Sequence, residues 1–219
     1  NRLICGDVGF GKTELAIRAS FVAAINSLPV VVLAPTTILS DQLFGCFSSR
    51  LGPFGVNTGV VSSISQNNKK TILSFLNKKI DVLIGTSAVL FQDEVLNFCS
   101  LFVVDEEHRF GVKDKEKILK INPRVNFLSM SATPIPRSLQ LSLSKIRNLS
   151  LLTSPPKNRK PIICAVSVFN LKIIKTSILR EISRGGQVYV VDNSVNSLKR
   201  LKKKIAFLFP LLSIDVVFG

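Results

Sequence analysis

Two short strings in this chain hold residues whose types and spacing could do chemistry on a phosphate ester. Gly6-Asp7-Val8-Gly9-Phe10-Gly11-Lys12-Thr13 fits the pattern G-x-x-x-x-G-K-[ST], between a short apolar strand and an amphipathic helix. Its glycines let backbone N–H groups curl round a β-phosphate at a helix N-terminus. Lys12 would neutralise β/γ oxygens and the Thr13 hydroxyl would hold Mg²⁺. The bland alternative is a glycine-rich strand-to-helix turn. The second string, Asp105-Glu106-Glu107-His108, follows the apolar run Leu101-Phe102-Val103-Val104. Three carboxylates at one strand end repel one another and raise their own pKa values, and a divalent cation with a nucleotide is the natural compensation. Asp105 would then bind Mg²⁺ through water, and Glu106 would polarise the attacking water as general base. The competing reading is an exposed acidic strand end.

Such a pair of strings needs a scaffold that delivers both to one place. Apolar runs at 3–5, 30–34, 56–61, 82–84, 101–104 and 125–128 alternate with helical patterns. Leu15, Ala16, Ala19, Val22 and Ala23 share one face of a helix over 14–25, and Leu39, Leu43 and Phe47 recur every four residues over 38–47. Runs apolar on both faces and joined by helices predict an α/β fold, a parallel sheet covered on both sides. The proline-rich polar stretch 153–161 reads as a linker between a first domain at 1–152 and a second at 162–219. In that second domain strands are expected at 162–168, 187–191 and 214–218, and helices at 171–184 and 195–207.

Composition narrows the partners. The 219 residues are 46% apolar and 20% charged, and no apolar run approaches a membrane span, so a soluble, cytoplasmic protein without membrane contact is expected. No secretory signal precedes the first strand, and the only methionine is Met130; a chain opening inside a motif is expected to be a piece of something longer or the product of a decayed gene. Cys5, Cys46, Cys99 and Cys164 form no CxxC pair and read as buried reduced thiols. The formal charge of +15 predicts a polyanionic partner, although lysine-rich AT-biased coding gives the same excess. No acidic residue lies between Glu116 and Glu181, so a basic groove at the domain joint is expected, with a solvated basic face as the alternative.

Asp105-Glu106-Glu107-His108 behind a phosphate loop, followed by Ser131-Ala132-Thr133, resembles the superfamily-2 helicases and translocases over essentially the whole chain. The resemblance implies a RecA-like P-loop NTPase domain followed by an incomplete second RecA-like domain, with ATP and Mg²⁺ as cofactors. It implies that Lys12, Asp105 and Glu106 are catalytic and that Glu107, His108, Ser131, Ala132 and Thr133 couple nucleotide state to domain movement. Pro35-Thr36-Thr37 and Gly85-Thr86 match segments that touch the nucleic-acid backbone, so Thr36, Thr37, Gly85 and Thr86 would meet phosphates without reading sequence.

Three longer strings, Gly6 to Glu14, Asp105-Glu106-Glu107-His108-Arg109-Phe110-Gly111-Val112 and Ser131-Ala132-Thr133-Pro134-Ile135-Pro136-Arg137, resemble the bacterial transcription-repair coupling factors. Their nearest relatives, the branch-migrating translocases of recombination, typically carry serine where Phe10 stands and glutamine where Glu107 stands. Gly185-Gly186-Gln187-Val188-Tyr189 is similar to the opening of the coupling factors' second motor domain. The resemblance implies a double-stranded-DNA translocase that displaces stalled RNA polymerase, with polymerase and excision-repair proteins bound through regions outside this chain. The alternatives are a branch-migrating recombination helicase and a non-motor DNA-binding remnant whose DNA affinity ATP merely regulates. Departures exist: Ser87-Ala88 replace the usual His-Lys, and 62–66 lack the usual Phe-Arg. The family's arginine finger is expected beyond Gly219, so these residues alone should bind ATP and hydrolyse it poorly.

Overall fold

In the computed structural model, which describes residues 1–62, 67–132, 148–157 and 162–217, the chain divides into two compact units, Asn1–Lys160 and Pro161–Gly219. The first unit is built on seven parallel strands: β1 (Arg2–Gly6), β2 (Val30–Leu33), β3 (Thr58–Val61), β4 (Val82–Gly85), β5 (Leu101–Val104), β6 (Asn126–Ser131) and β7 (Asn148–Leu152). Their order across the sheet is β3-β4-β2-β5-β6-β1-β7. Helices α1 (Lys12–Ile25), α2 (Thr37–Leu51), α3 (Asn68–Leu76), α4 (Asp93–Phe98) and α5 (Val112–Ile121) connect them.

The all-apolar strands are explained by two cores. Successive side chains of a strand point to opposite faces. Val30 and Val32 accordingly pack with Ala16 and Ile17 of α1 and Leu43 and Phe47 of α2. Val31 and Leu33 pack on the other face with Phe75 of α3, Val95 and Leu96 of α4 and Ile118 of α5. Each such side chain stabilises the fold by about 1.5–3 kcal/mol on burial, which is why a polar substitution in β2 would be felt on either face.

The expected parallel α/β sheet is present, and six of its strands fall where apolar runs placed them, with shifted ends. β7 is an addition to that reading. Asn148-Leu149-Ser150-Leu151-Leu152 is a half-exposed edge strand, and its mixed polarity carries no buried-strand signature. It pairs with β1 from Arg2↔Asn148 to Gly6↔Leu152.

The second unit holds helices α6 (Leu171–Ser183) and α7 (Val195–Leu208), which meet in a small core of Ile178, Ile205 and Phe209. The strands expected at 162–168, 187–191 and 214–217 form no ladder among the described residues. A strand exists through its neighbour's N–H and C=O groups, and Val166, Tyr189, Val191 and Val217 stand exposed and unpaired by any ladder. The cysteines also correct the sequence reading. Cys5 and Cys99 are buried, whereas Cys46 and Cys164 are exposed. Leu43 and Phe47 claim the inner face of α2, and Cys46, one residue from Phe47, is rotated about 100° away. Among the described residues no helix is long and apolar enough to cross a membrane.

Candidate active site

Because every strand of the first unit runs the same way, the loops after β1, β2, β4, β5 and β6 all emerge at one edge of the sheet. That carboxyl edge is where open α/β sheets bind ligands. The loop after β1 contains two glycines with left-handed backbone, Gly9 (φ 79°) and Gly11 (φ 90°), and Gly11 is the N-cap of α1. Any side chain there would be strained. The Phe10 N–H donates to the Asp7 carbonyl (3.2 Å), closing the turn. At the loop's neck Gly6 faces β7, and a Cβ on it would stand 2.8 Å from Leu152 Cβ.

Lys12 is 9% exposed, and its ammonium donates to the carbonyls of Gly6 (2.7 Å) and Asp7 (3.0 Å). The charge is thereby held within the loop by the loop's own backbone. Thr13 follows it, half-buried in the first turn of α1.

β5 delivers Asp105 to the same edge, with β6 lying between β5 and β1. Burial pushes the Asp105 carboxyl above the usual carboxylate range, and the neighbouring Glu106 charge adds to the effect. The Glu106 N–H (3.1 Å to Asp105 Oδ1) and the Lys12 ammonium pull the other way. The Lys12 charge thus reaches Asp105 across β6, although the two residues stand 93 positions apart in the sequence.

The acidic string does not act as one cluster. Glu106 takes up left-handed backbone (φ 55°, ψ 60°), and Glu107–Arg109 form a 3-10 turn. Asp105 and Glu106 still feel each other's charge, while Glu107 is turned toward α5. Glu106 Oε2 approaches His108 Nδ1 (3.3 Å), yet it is shielded from solvent and accepts no well-formed hydrogen bond. Glu107 Oε1 instead lies 3.6 Å from Lys115 Nζ on α5, and that ammonium sits 5.0 Å from the Phe127 ring centroid. Among the described residues no three Asp, Glu, His or Cys side chains converge to hold a metal ion. A metal at this edge would therefore rely on Asp105, Thr13 and phosphate oxygens.

Ser131 ends β6, buried, in register with Cys5 of β1. Ala132 follows it, half-buried, and Thr133 lies outside the described residues, as do 134–137 and 63–66. Burial raises the Cys5 thiol, helped by the Glu107 charge and opposed by Lys12. Cys5 therefore registers both the phosphate loop and the acidic turn, with its thiol kept inert.

The loops after β2 and β4 form a separate open cleft of about 610 Å³. Thr36, Thr37 and Thr86 line it together, so three residues expected to meet a nucleic-acid backbone converge although they come from strings 50 residues apart. Thr36 is the N-cap of α2, its Oγ1 accepting from the Leu39 N–H (3.3 Å). Gly85 is sterically required rather than exposed for contact, since a Cβ would stand 2.5 Å from Val89 Cγ2 and 2.8 Å from the Val61 carbonyl oxygen. Sequence reasoning passed over Phe91, which lines the cleft at 78% exposure, and Lys115, whose partner stands eight positions earlier on another element. An exposed aromatic beside a Gly-Thr turn was the available signal for the first.

Comparison with known proteins bears on both features. A model of the DEAD/DEAH box helicase family matches residues 1–142. The transcription-repair-coupling factor of Borreliella burgdorferi is 44% identical over 221 residues, covering 100% of this chain and 20% of its own length. That of Escherichia coli is 40% identical and is covered over 19% of its length. The chain thus spans about a fifth of these relatives, and the resemblance read from its motifs is borne out along its whole length. Among solved structures, RecG bound to a three-way DNA junction superposes with a TM-score of 0.72 at 28% identity, covering 94% of this chain and 28% of RecG. A hypothetical ATP-dependent RNA helicase from Sulfolobus tokodaii shares the fold at a TM-score of 0.50 and 18% identity, covering 69% of this chain and 47% of its own. The RecA-like fold expected from the motifs is the fold observed.

Proposed function

We propose a function from one premise: this chain belongs to the DEAD/DEAH box helicase family, and its 219 residues are the ATP-binding lobe, with part of the next lobe, of a double-stranded-DNA translocase of transcription-coupled repair. The observation that carries the reading is that the loop after β1, with Lys12, and the end of β5, with Asp105, open at one carboxyl edge of the sheet, in a chain 40–44% identical throughout to transcription-repair-coupling factors.

ATP and Mg²⁺ suit the residues present. Asp105 is a half-buried carboxyl held above its ordinary range by burial and a neighbouring negative charge, a state a cation relieves. Glu106 Oε2 is shielded and without a hydrogen bond, the condition of an acceptor kept for a water. The backbone N–H groups of residues 9–13 and the Lys12 ammonium would hold the phosphates, and Thr13 and Asp105 would hold Mg²⁺. Bound Mg²⁺ supplies charge neutralisation at the phosphate oxygens. Lys12 exchanges its two loop carbonyls for phosphate oxygens. Glu106 orients the attacking water and accepts its proton at Oε2. Ser131 ends β6 beside β1, Ala132 follows it, and the two lead into Thr133; their position next to the strand that opens the loop supports a role in transmitting nucleotide state. Thr36, Thr37 and Thr86 contact the DNA backbone through hydroxyl and N–H groups, which position a strand without reading it.

As a polypeptide of these residues alone, the chain binds ATP and turns it over slowly. Family members insert an arginine from the second lobe at the transition state, worth on the order of 10³-fold in rate, and the motif that bears it is not among these residues. DNA-stimulated ATP hydrolysis by this chain, beside a form completed with a downstream lobe, tests the reading. Brisk turnover by the chain alone sinks the missing-arginine argument. RNA polymerase capture by the complete gene product tests the repair role. The second reading, a translocase of branched recombination DNA, is favoured by the junction in the RecG structure and would be supported by junction processing without polymerase capture.

A further inference from the structure

The cleft between the β2 and β4 loops combines hydroxyls, an amide and one large ring, and among the described residues its lining contains no carboxylate to repel a phosphate. Phe91 closes the 3-10 turn Ser87–Phe91 that follows β4. A phenylalanine costs free energy when its ring stands in water, and this one is 78% exposed while Val89 and Leu90 beside it are buried. The turn is not loose. Val89 N–H donates to the Thr86 carbonyl (3.1 Å), and Lys117 Nζ donates to the Leu90 carbonyl (2.7 Å). The same ammonium pairs with Asp93 (2.8 Å) and lies 5.9 Å from the Phe91 ring centroid. A rigid turn therefore presents an aromatic surface beside three threonines suited to a phosphate backbone, with a cation already near the ring.

We propose that Phe91 is a stacking platform: where the DNA held by the cleft presents an unpaired base, the ring stacks on that base. The inference rests on the nucleic-acid reading of the cleft given above and adds what that reading leaves out. Threonine hydroxyls grip phosphate in any strand, whereas a phenyl face stacks only on a base that is not already stacked on both sides. Every base has a π-face, so such a platform tolerates all sequences. During translocation along duplex it engages a base only where pairing is interrupted, as at a fork or a lesion-distorted site.

The chain contains no tryptophan, so Phe91→Trp places a unique fluorophore on the platform. Titration of the full chain with short oligothymidylate should quench that emission, and blunt duplex and inorganic polyphosphate should not. By fluorescence anisotropy, Phe91→Ala and Phe91→Leu should each weaken oligothymidylate binding by about 5- to 100-fold and leave duplex binding within about 2-fold. Both substitutions are at an exposed ring, and circular dichroism checks that the fold persists. Oligothymidylate binding without quenching, or equal losses on strand and duplex, overturns the platform and leaves the nucleic-acid reading standing. Failure of the unsubstituted chain to bind either DNA overturns both.

Discussion

Gly85→Ala is the substitution whose outcome the geometry decides most sharply. The residue ends β4 in register with Val61 and Leu33, and its carbonyl accepts from Ala34 N–H (2.8 Å). Its backbone is not in the left-handed region, so alanine meets no torsional penalty. Reduced freedom of the unfolded chain would by itself stabilise the variant by about 0.4–1 kcal/mol. Against this stand two contacts under 3 Å, one with Val89 Cγ2 at 2.5 Å and one with the Val61 carbonyl oxygen at 2.8 Å. A methyl can rotate aside; a strand oxygen can move only by disturbing the β3–β4 ladder. Overpacking costs about 1–3 kcal/mol, and the backbone contact puts this case at the upper end. The net loss is about 2 kcal/mol, which at roughly 2–4 °C per kcal/mol lowers the first unit's melting transition by about 4–8 °C. Gly45→Ala is the internal control. It lies in α2 with nothing within 4 Å of an added methyl, so the same chemical change should stabilise by about 0.5–1 kcal/mol. Thermal melts followed by far-ultraviolet circular dichroism read both. If Gly85→Ala melts at or above the unsubstituted chain, the steric account of Gly85 is wrong, and contact with a ligand becomes the reason for a glycine there.

Other expectations are more direct. Lys12→Ala removes two charge-assisted donors, worth about 2–3 kcal/mol once redirected to phosphate, so titration with a fluorescent ATP analogue should show roughly 30- to 150-fold weaker binding; unchanged affinity removes the phosphate loop from the account. Asp105→Asn abolishes turnover yet stabilises the fold at neutral pH. The folded-state pKa of Asp105 is raised, so its contribution favours the fold at low pH and is lost as pH rises through that pKa. The gain in melting temperature from Asp105→Asn should therefore vanish as pH falls below the ordinary carboxylate range, and a gain independent of pH would contradict burial as the cause. Thr36→Ala deletes an N-cap and should cost about 0.5–2 kcal/mol in a melt, together with weaker DNA binding in the anisotropy assay; loss of stability alone would leave Thr36 a cap and nothing more.

The chemistry-bearing strings were legible because their physics is local. Gly9 and Gly11 occur where left-handed backbone is needed, and Lys12 lies one residue on, at the first turn of a helix. The strands were legible because burial on two faces demands unbroken apolar runs such as Val30–Leu33. What escaped was set by distant partners. β7 is a strand because β1 offers it a ladder, not because Asn148-Leu149-Ser150 insists on one. Conversely, 187–191 reads as a strand and remains without a ladder. The left-handed turn at Glu106 was invisible too, since glutamate carries no preference for it, and the 3-10 turn that it opens brings Glu107 to Lys115 on α5. Lys115 could be found only after α5 was laid against the sheet.

The pairing of β7 with β1 has a mechanical meaning. Leu152 is the last residue of β7, and it covers Gly6, the residue at which β1 opens into the phosphate loop. The chain then runs on toward the second unit through Thr153, Ser154 and the two prolines that follow. Tension applied along that tether is borne first by the five residue pairs between β7 and β1, at the neck of the loop that holds Lys12. The covalent connection between the units thus anchors beside the loop that carries Lys12, so a pull on the tether and a change in the loop act on the same few hydrogen bonds.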